Sequence, residues 1–376
     1  MERIYLDYAA TTPVAEEVMQ AMLESSKHAW ANASAQYTSG RLARKELENS
    51  RLKIAETLGL NPKGIIFTSG ASEANNFLIK ANAYRLRISG KGSHLLTSIA
   101  EHPSVYEVFQ ELEKDGFTVT YLGLNENGSI DLNELKNAVR EDTSLVSIMT
   151  VNNETGVIMP VQEIAKFLHD KNIFFHTDYV QALGKIKILP ADFNPDALSL
   201  SAHKIYGPKG IGIAYQNPDI PLKAMILGGH QEFDKRAGTE SVVLATGFAK
   251  AVELMEKNKT KNLLRLEELS EYLYKILDKS GIEYLKNTSA ESFKGIQNIW
   301  FKGKMASQVL VFLDLNGIEI SAGSACAAGA LEDSRVLQAM FGAKSPRLSE
   351  SLRISFGPET SEAEITRLVE VLKLMK

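Results

Sequence analysis

The sequence predicts an α/β fold, with a large domain around a mainly parallel seven-stranded sheet and a smaller α+β domain after it. From about residue 64, short apolar segments alternate with amphipathic helical ones, the rhythm of strand–helix–strand crossovers. Beyond about residue 255 that rhythm gives way to a less regular mixture of strands and helices. A third observation points to a site. Small and polar residues follow one predicted strand after another, at the edge where open α/β sheets bind ligands.

Residues 14–60 read as helical, with apolar positions at helical spacing over Val14–Ser25 and Gly40–Leu58 and a loop at 30–35 between them. The predicted strands are Ile65–Thr68, His94–Thr97, Val119–Leu122, Leu145–Val151, Phe174–Thr177, Ala197–Ser201 and Ile211–Tyr215. Helices Glu73–Tyr84, Val105–Lys114, Leu132–Val139 and Val161–His169 fall between them, and a long charged amphipathic helix covers Thr246–Asp278. There follow strand Ile296–Phe301, helix Ser307–Leu315, strand Ile318–Ser321, a loop holding the single cysteine, a short helix near Ser334–Met340, strand Leu352–Phe356 and helix Ser361–Met375. This pattern places a large domain at residues 15–255 and a small one at residues 1–14 and 256–376.

Hydrophobic residues make up 44% of the chain and charged residues 23%, the proportions of an ordinary globular protein. A net charge of −4 argues against a surface built for nucleic acid or anionic membrane. No run approaches the ~18 apolar residues of a membrane span, and acidic Asp7 interrupts the N-terminus before a leader-like stretch develops. One cysteine excludes an internal disulfide and a multi-cysteine metal site, and suits a reducing compartment. The expectation is a cytoplasmic protein with no metal, no direct nucleic-acid partner and no membrane association.

The strand ends carry the chemistry. Ile65–Thr68 runs into Ser69-Gly70-Ala71-Ser72-Glu73, where backbone N–H groups and hydroxyls at a helix start can cradle a phosphate. The next strand leads to Glu101-His102-Pro103, and Leu145–Val151 leads to Asn152-Asn153-Glu154-Thr155-Gly156. Asp178 and Gln181 follow Phe174–Thr177, and His203 and Lys204 follow Ala197–Ser201. Singly, these residues read as a surface histidine, a helix cap or a turn lysine. Together they bring a phosphate cradle, an imidazole, an amide, a carboxylate and an amine to one edge, the set that pyridoxal 5′-phosphate (PLP) needs. Cys326 lies in Ser321-Ala322-Gly323-Ser324-Ala325-Cys326-Ala327-Ala328-Gly329, a run of small residues that reads as an exposed loop presenting its thiol.

Seven motifs, in order, carry a resemblance that runs from residue 4 to about residue 357. They are Tyr5-Leu6-Asp7-Tyr8-Ala9-Ala10-Thr11-Thr12, Thr68-Ser69-Gly70, Glu101-His102-Pro103, Asn152–Gly156, Ser201-Ala202-His203-Lys204-Ile205-Tyr206-Gly207-Pro208, Arg236-Ala237-Gly238-Thr239 and Ser324-Ala325-Cys326. The chain resembles the NifS/IscS-like cysteine desulfurases, in the class V aminotransferase group of fold-type I PLP-dependent transferases.

The resemblance implies PLP as cofactor and gives roles to residues. Lys204 would be the Schiff-base lysine, His102 the histidine stacked on the pyridine ring, and Asp178 the partner of the ring nitrogen. Gln181 and Asn153 would contact ring substituents. Ala71, Ser72, Ser201 and His203 would hold the phosphate, with Thr239 reaching it from the other subunit of a homodimer. Arg353 would bind the substrate carboxylate as a fork, near Asn32 and Asn153. The implied reaction takes L-cysteine to alanine, with Lys204 or His102 as the base at Cα and Cys326 as the thiolate that accepts sulfur as a persulfide. A protein acceptor, such as an iron–sulfur scaffold or a tRNA-thiolating enzyme, would then receive the sulfur. A selenocysteine lyase, a cysteine sulfinate desulfinase and an idle scaffold of the same fold are the alternatives. Tyr8, Ser72, the 32–37 loop and the 230–236 segment depart from the usual family pattern.

Overall fold

The computed structural model describes residues 3–323 and 333–375. Its central sheet contains β1 (Ile65–Thr68), β2 (His94–Ser98), β3 (Thr118–Leu122), β4 (Thr143–Ser147), β5 (Phe174–Asp178), β6 (Ala197–Ser201) and β7 (Gly212–Gln216). Their order is β1-β7-β6-β5-β4-β2-β3. Neighbours are parallel except where β7 runs against both β1 and β6. The two reversals cancel, so β1 points the same way as β6. The carboxyl ends of β1, β2, β4, β5 and β6 therefore share one edge.

Strand alternation explains the layers. Ile66, Leu95, Leu145, Phe174, Ala197 and Ala214 face one core, shared with helices α3 (Ala71–Ile88) and α4 (Pro103–Lys114), which follow α1 (Glu16–His28) and α2 (Thr38–Leu58) along the chain. Their neighbours Ile65, Phe67, Leu96, Val146, Phe175, Leu198 and Ile213 face the other, with residues from Thr38–Leu58, Val161–Asp170 and Val242–Asp278. Both faces are covered, which is why the strands read as nearly continuous apolar runs. Each fully buried Leu, Ile or Phe contributes roughly 1.5–3 kcal/mol relative to exposure, so the sheet is a firm platform for its polar edge.

The 37-residue helix Val242–Asp278 spans both parts of the molecule. Near its start, Thr246 Oγ1 donates to Glu46 (3.1 Å); near its end, Tyr272 and Thr366 hydroxyls bond at 2.8 Å. Residue 255 falls inside it. The C-terminal part has an antiparallel sheet in which Ile296–Phe301 lies between Ser351–Ser355 and Tyr284–Lys286. The last of these was not predicted: it is a three-residue edge strand, half-exposed and without a buried face for its sequence to display. β4 ends at Ser147, short of the predicted Val151, although Thr150 N still donates to Asp178 O at 3.0 Å. At the N-terminus, Ile4–Tyr5 pairs with Ile318–Glu319 and Asp7 bridges to Ser355.

One ion pair braces the 230–236 segment. Arg51, 2% exposed, donates through both terminal nitrogens to the Glu232 carboxylate at 2.8 Å, and Phe67 N donates to the same group at 2.7 Å. Phe67 and Phe233 lie on the guanidinium at 4.8 and 4.9 Å. These contacts hold Glu232, Phe233 and Asp234 in left-handed backbone, which non-glycine residues rarely adopt. Among the described residues no helix is long and apolar enough to cross a membrane, and no group of three or more His, Cys, Asp or Glu residues could hold a metal.

Candidate active site

Lys204 ends a single 3-10 turn directly after β6. Its Nζ donates to Ala9 O (2.6 Å) and Ala10 O (2.7 Å), and Thr12 Oγ1 donates to His203 O at 2.9 Å. The Ala9–Thr12 strap thus lies across the lysine turn, and the next residue but one, Tyr206, takes a left-handed φ of 65°. His203 Nδ1 bonds Thr11 Oγ1 at 3.0 Å. Burial, helped by Lys204, Lys185 and Lys209, pushes His203 down to about 4, so it is neutral near pH 7.

Asp178 is the last residue of β5 and is buried. Its Oδ1 accepts from Val180 N (3.0 Å) and its Oδ2 from Asn75 Nδ2 (2.9 Å). Asn75 Nδ2 also donates to Ser104 Oγ at 2.9 Å, and Ser104 Oγ bonds His102 Nδ1 at 2.8 Å. Ser104 N donates to the same Nδ1 at 3.1 Å, so Nδ1 is an acceptor and the ring proton sits on Nε2. Burial lowers the His102 pKa, with Lys204 and Arg335 acting the same way and Asp178 opposing them. Asn75 and Ser104 were missed from sequence: Asn75 sits mid-helix and Ser104 is an ordinary N-terminal serine of α4. Only the packing of α3 against α4 joins them.

The predicted phosphate turn opens α3, an 18-residue helix that starts at the carboxyl end of β1. A Cβ on Gly212 of β7 would come within 2.6 Å of Gly70 C and of Leu200 O, so the strand needs glycine where the turn crosses it. Glu73 secures the turn by accepting from Ser69 N (2.8 Å) and Arg236 Nε (2.9 Å). Ser201 is buried, while Ser72 is open to solvent. Thr239 is exposed and lines a cavity of about 200 Å³ with Thr68, Ser69 and Arg236 of its own chain.

Arg353 comes from the middle of Ser351–Ser355 and is 2% exposed. Its Nη2 donates to Asp7 Oδ1 (2.8 Å), and its Nη1 to Asn153 O (3.0 Å) and Gly323 O (3.3 Å). Nε is buried without a hydrogen-bond partner among the described residues. The guanidinium thus sits at the sheet edge, neutralised by a carboxylate from residue 7. Asn153 contributes its carbonyl to this arginine. Asn32 is exposed and accepts from Ser34 N at 2.8 Å; among the described residues no hydrogen bond joins it to the rest of the site.

Cys326 lies outside the described residues. The described chain stops at Gly323, bonded to Arg353, and its resumption includes Ser334, whose Oγ donates to Glu154 Oε2 at 2.5 Å. Arg335 then donates to Glu101 O at 3.3 Å. Burial raises the Glu154 pKa and pushes Glu101 up to about 8, so Glu101 is largely protonated at neutral pH. The departure at Tyr8 is absorbed by packing: its ring lies against Gly357, where a Cβ would fall 2.3 Å from it.

The donor set fits a phosphorylated pyridine aldehyde. It offers an amine at Lys204, a buried carboxylate for a cationic ring nitrogen, and hydroxyls with helix amides for a dianion. This chemistry on a doubly wound sheet defines a PLP-dependent transferase. The Aminotransferase class-V family model matches residues 4–368, and the chain belongs to that family.

Within it, the chain is 41% identical to the cysteine desulfurase IscS of Dictyoglomus turgidum, over 98% of this chain and 93% of that protein. It superposes on a solved NifS-like protein with a TM-score of 0.91 at 31% identity, covering 99% of both chains. A structure described as SspA in complex with cysteine matches at TM-score 0.82 and 34% identity, over 95% of this chain and all of that one.

Proposed function

We propose that this chain is a PLP-dependent cysteine desulfurase that takes sulfur from L-cysteine and leaves L-alanine. The observation that carries the reading is the convergence of Lys204, Asp178 and His102 with Arg353, brought from the other end of the chain, at one sheet edge. When bound, PLP supplies an electron sink for charge developing at the substrate Cα.

The chain's residues do the rest. Lys204 would hold the cofactor covalently, with Asp178 the partner for its ring nitrogen and His102 beside its ring. Gln181 and Asn153 would hold ring substituents. Ala71, Ser72, Ser201 and His203 would bind the phosphate, with Thr239 contributed by the other subunit of a homodimer. Arg353 takes the substrate carboxylate, with Asn32 and Asn153 beside it. Lys204 Nζ receives the Cα proton, and His102 Nε2, which already carries its ring proton, is placed to donate one rather than to take it. The Cys326 thiolate attacks the substrate sulfur; an S–S bond forms as the Cβ–S bond breaks, its electron pair passes to carbon, and carbon takes a proton. The persulfide then goes to a protein acceptor in the cytoplasm, an iron–sulfur scaffold or a tRNA-thiolating enzyme. The pairing of Ile4–Tyr5 with Ile318–Glu319 supports grouping residues 1–14 with 256–376 against a large domain at 15–255.

Purified protein loaded with PLP tests the reading. L-cysteine should yield alanine and, with a reductant, sulfide. Cys326→Ala should abolish sulfide release while keeping the visible cofactor band, and Lys204→Ala should remove the band. Undiminished sulfide from the Cys326 variant would rule out the persulfide step.

A further inference from the structure

Behind Lys204 lies a second, half-buried amine that the proposed reaction does not use. Lys185 follows the β5 end, and with Lys204, Tyr8, Tyr206 and Phe293 it lines a cavity of about 540 Å³. Its Nζ donates to Gln181 Oε1. Gln181 is itself 3% exposed, and its Nε2 donates to Ala9 O at 2.8 Å, the same carbonyl that accepts from Lys204.

A glutamine amide has two ends that differ by function and hardly by shape. One end only accepts and the other only donates. Here two neighbours select the same orientation. Ala9 O can face only the NH2 end, and Lys185 Nζ, as a donor, faces the oxygen. Nε2 carries two hydrogens and Ala9 O takes one, so the second stays available on the NH2 side. Donation from Lys185 to Oε1 also polarises the amide and strengthens that remaining N–H as a donor.

We infer that Lys185 is a positioning residue: it fixes the Gln181 amide so that its NH2 end, and not its oxygen, is presented to a ring oxygen of the bound cofactor. The inference rests on the reading in which Gln181 contacts a ring substituent. Burial, with Lys204 and Arg353 nearby, holds the Lys185 amine well below the ordinary lysine range. Those two and His203, which Lys185 in turn pushes down, are the charged or titratable groups coupled to it. Among the described residues, the hydrogen-bond acceptor of Lys185 Nζ is Gln181 Oε1.

The pH titration of the visible cofactor band in the PLP-loaded protein reads the effect directly. A donor to the ring oxygen favours its anionic form, so weakening that donor moves the midpoint to higher pH. Lys185→Met should raise it by about half a unit to one unit, the effect of one ordinary hydrogen bond. Lys185→Arg should return it toward wild type. Lys185→Gln, which keeps an N–H at shorter reach, should give a midpoint between these and serves if the methionine variant does not fold. In a Gln181→Met background, Lys185→Met should move nothing further. An unchanged midpoint in folded, loaded Lys185→Met and Lys185→Gln proteins overturns the inference, as does an equal shift in the Gln181→Met background. A wild-type protein with no Lys204-dependent band overturns the cofactor reading itself, a different result from either.

Discussion

The two halves of the candidate site are built in opposite ways. The cofactor half grows from adjacent strand ends on one sheet, and its side chains bond to one another, although Asn75 Oδ1 and Glu101 Oε2 have no hydrogen-bond partner among the described residues. Asp178, Asn75, Ser104 and His102 form a hydrogen-bonded chain between β5, α3 and α4. The carboxylate half is assembled from distant pieces. Arg353 meets Asp7 across 346 residues of sequence, and Ser334 meets Glu154 across 180. There a buried guanidinium nitrogen remains unpartnered among the described residues. Side chains bonded to one another from neighbouring elements are suited to hold one geometry, and the atoms left over there are acceptors; a buried arginine with a spare N–H is suited to receive an anionic ligand.

Substitutions that separate the halves test this contrast, and the largest effect belongs to Arg353. Arg353→Ala should cut kcat/KM for L-cysteine by about a thousandfold or more, since it leaves a substrate carboxylate without its charged partner. The visible cofactor band should stay in place. A variant that lost the band would show that the halves are one unit.

Acidification should act on the cofactor half. His176, pushed down to about 3 by burial, and His203, down to about 4, are neutral when folded. Unfolded, they take up protons near their ordinary 6.5, so the unfolded state binds more protons below that pH. Stability should therefore fall steadily as pH drops from about 6.5 toward 4, measured by urea unfolding. His176→Asn should flatten the slope.

Asn75→Ala takes one hydrogen bond from Asp178 and another from Ser104. A loss of about 1–3 kcal/mol is expected for the buried acceptors, read as a shift of about one unit in the titration of the cofactor band. KM for L-cysteine should change less than twofold if the halves are independent.

Asp7→Asn should give the smallest effect. It keeps an acceptor for Arg353 Nη2 but removes a negative charge beside the proposed carboxylate site. KM for L-cysteine should fall a few-fold, because the substrate carboxylate no longer competes with a charged neighbour for the buried guanidinium. A rise in KM would mean that Asp7 matters chiefly for holding the arginine in place.

Much of the cofactor half was legible because each member follows a strand, and strands announce themselves by apolar runs. His102, Asp178, Gln181, His203 and Lys204 were all found that way. Asn75, Ser104 and Lys185 were not, since a mid-helix asparagine, a serine at a helix start and a lysine in a turn carry no periodic signal. Arg353 was assigned only through the family resemblance, and nothing in the sequence linked it to Asp7. The bracing of Glu232 by Arg51 was equally silent, because left-handed backbone at Glu232-Phe233-Asp234 contradicts the residue preferences there.

The sequence alone determined the α/β class, the order of the elements and the set of polar residues at the sheet edge, because those follow from periodicity and from what stands after each strand. The tertiary structure decided how they work together: the neutral Nε2–H form of His102, the orientation of the Gln181 amide and the partners of Arg353. Each depends on a through-space contact between elements far apart along the chain, and burial there sets both the charge state and the available donors.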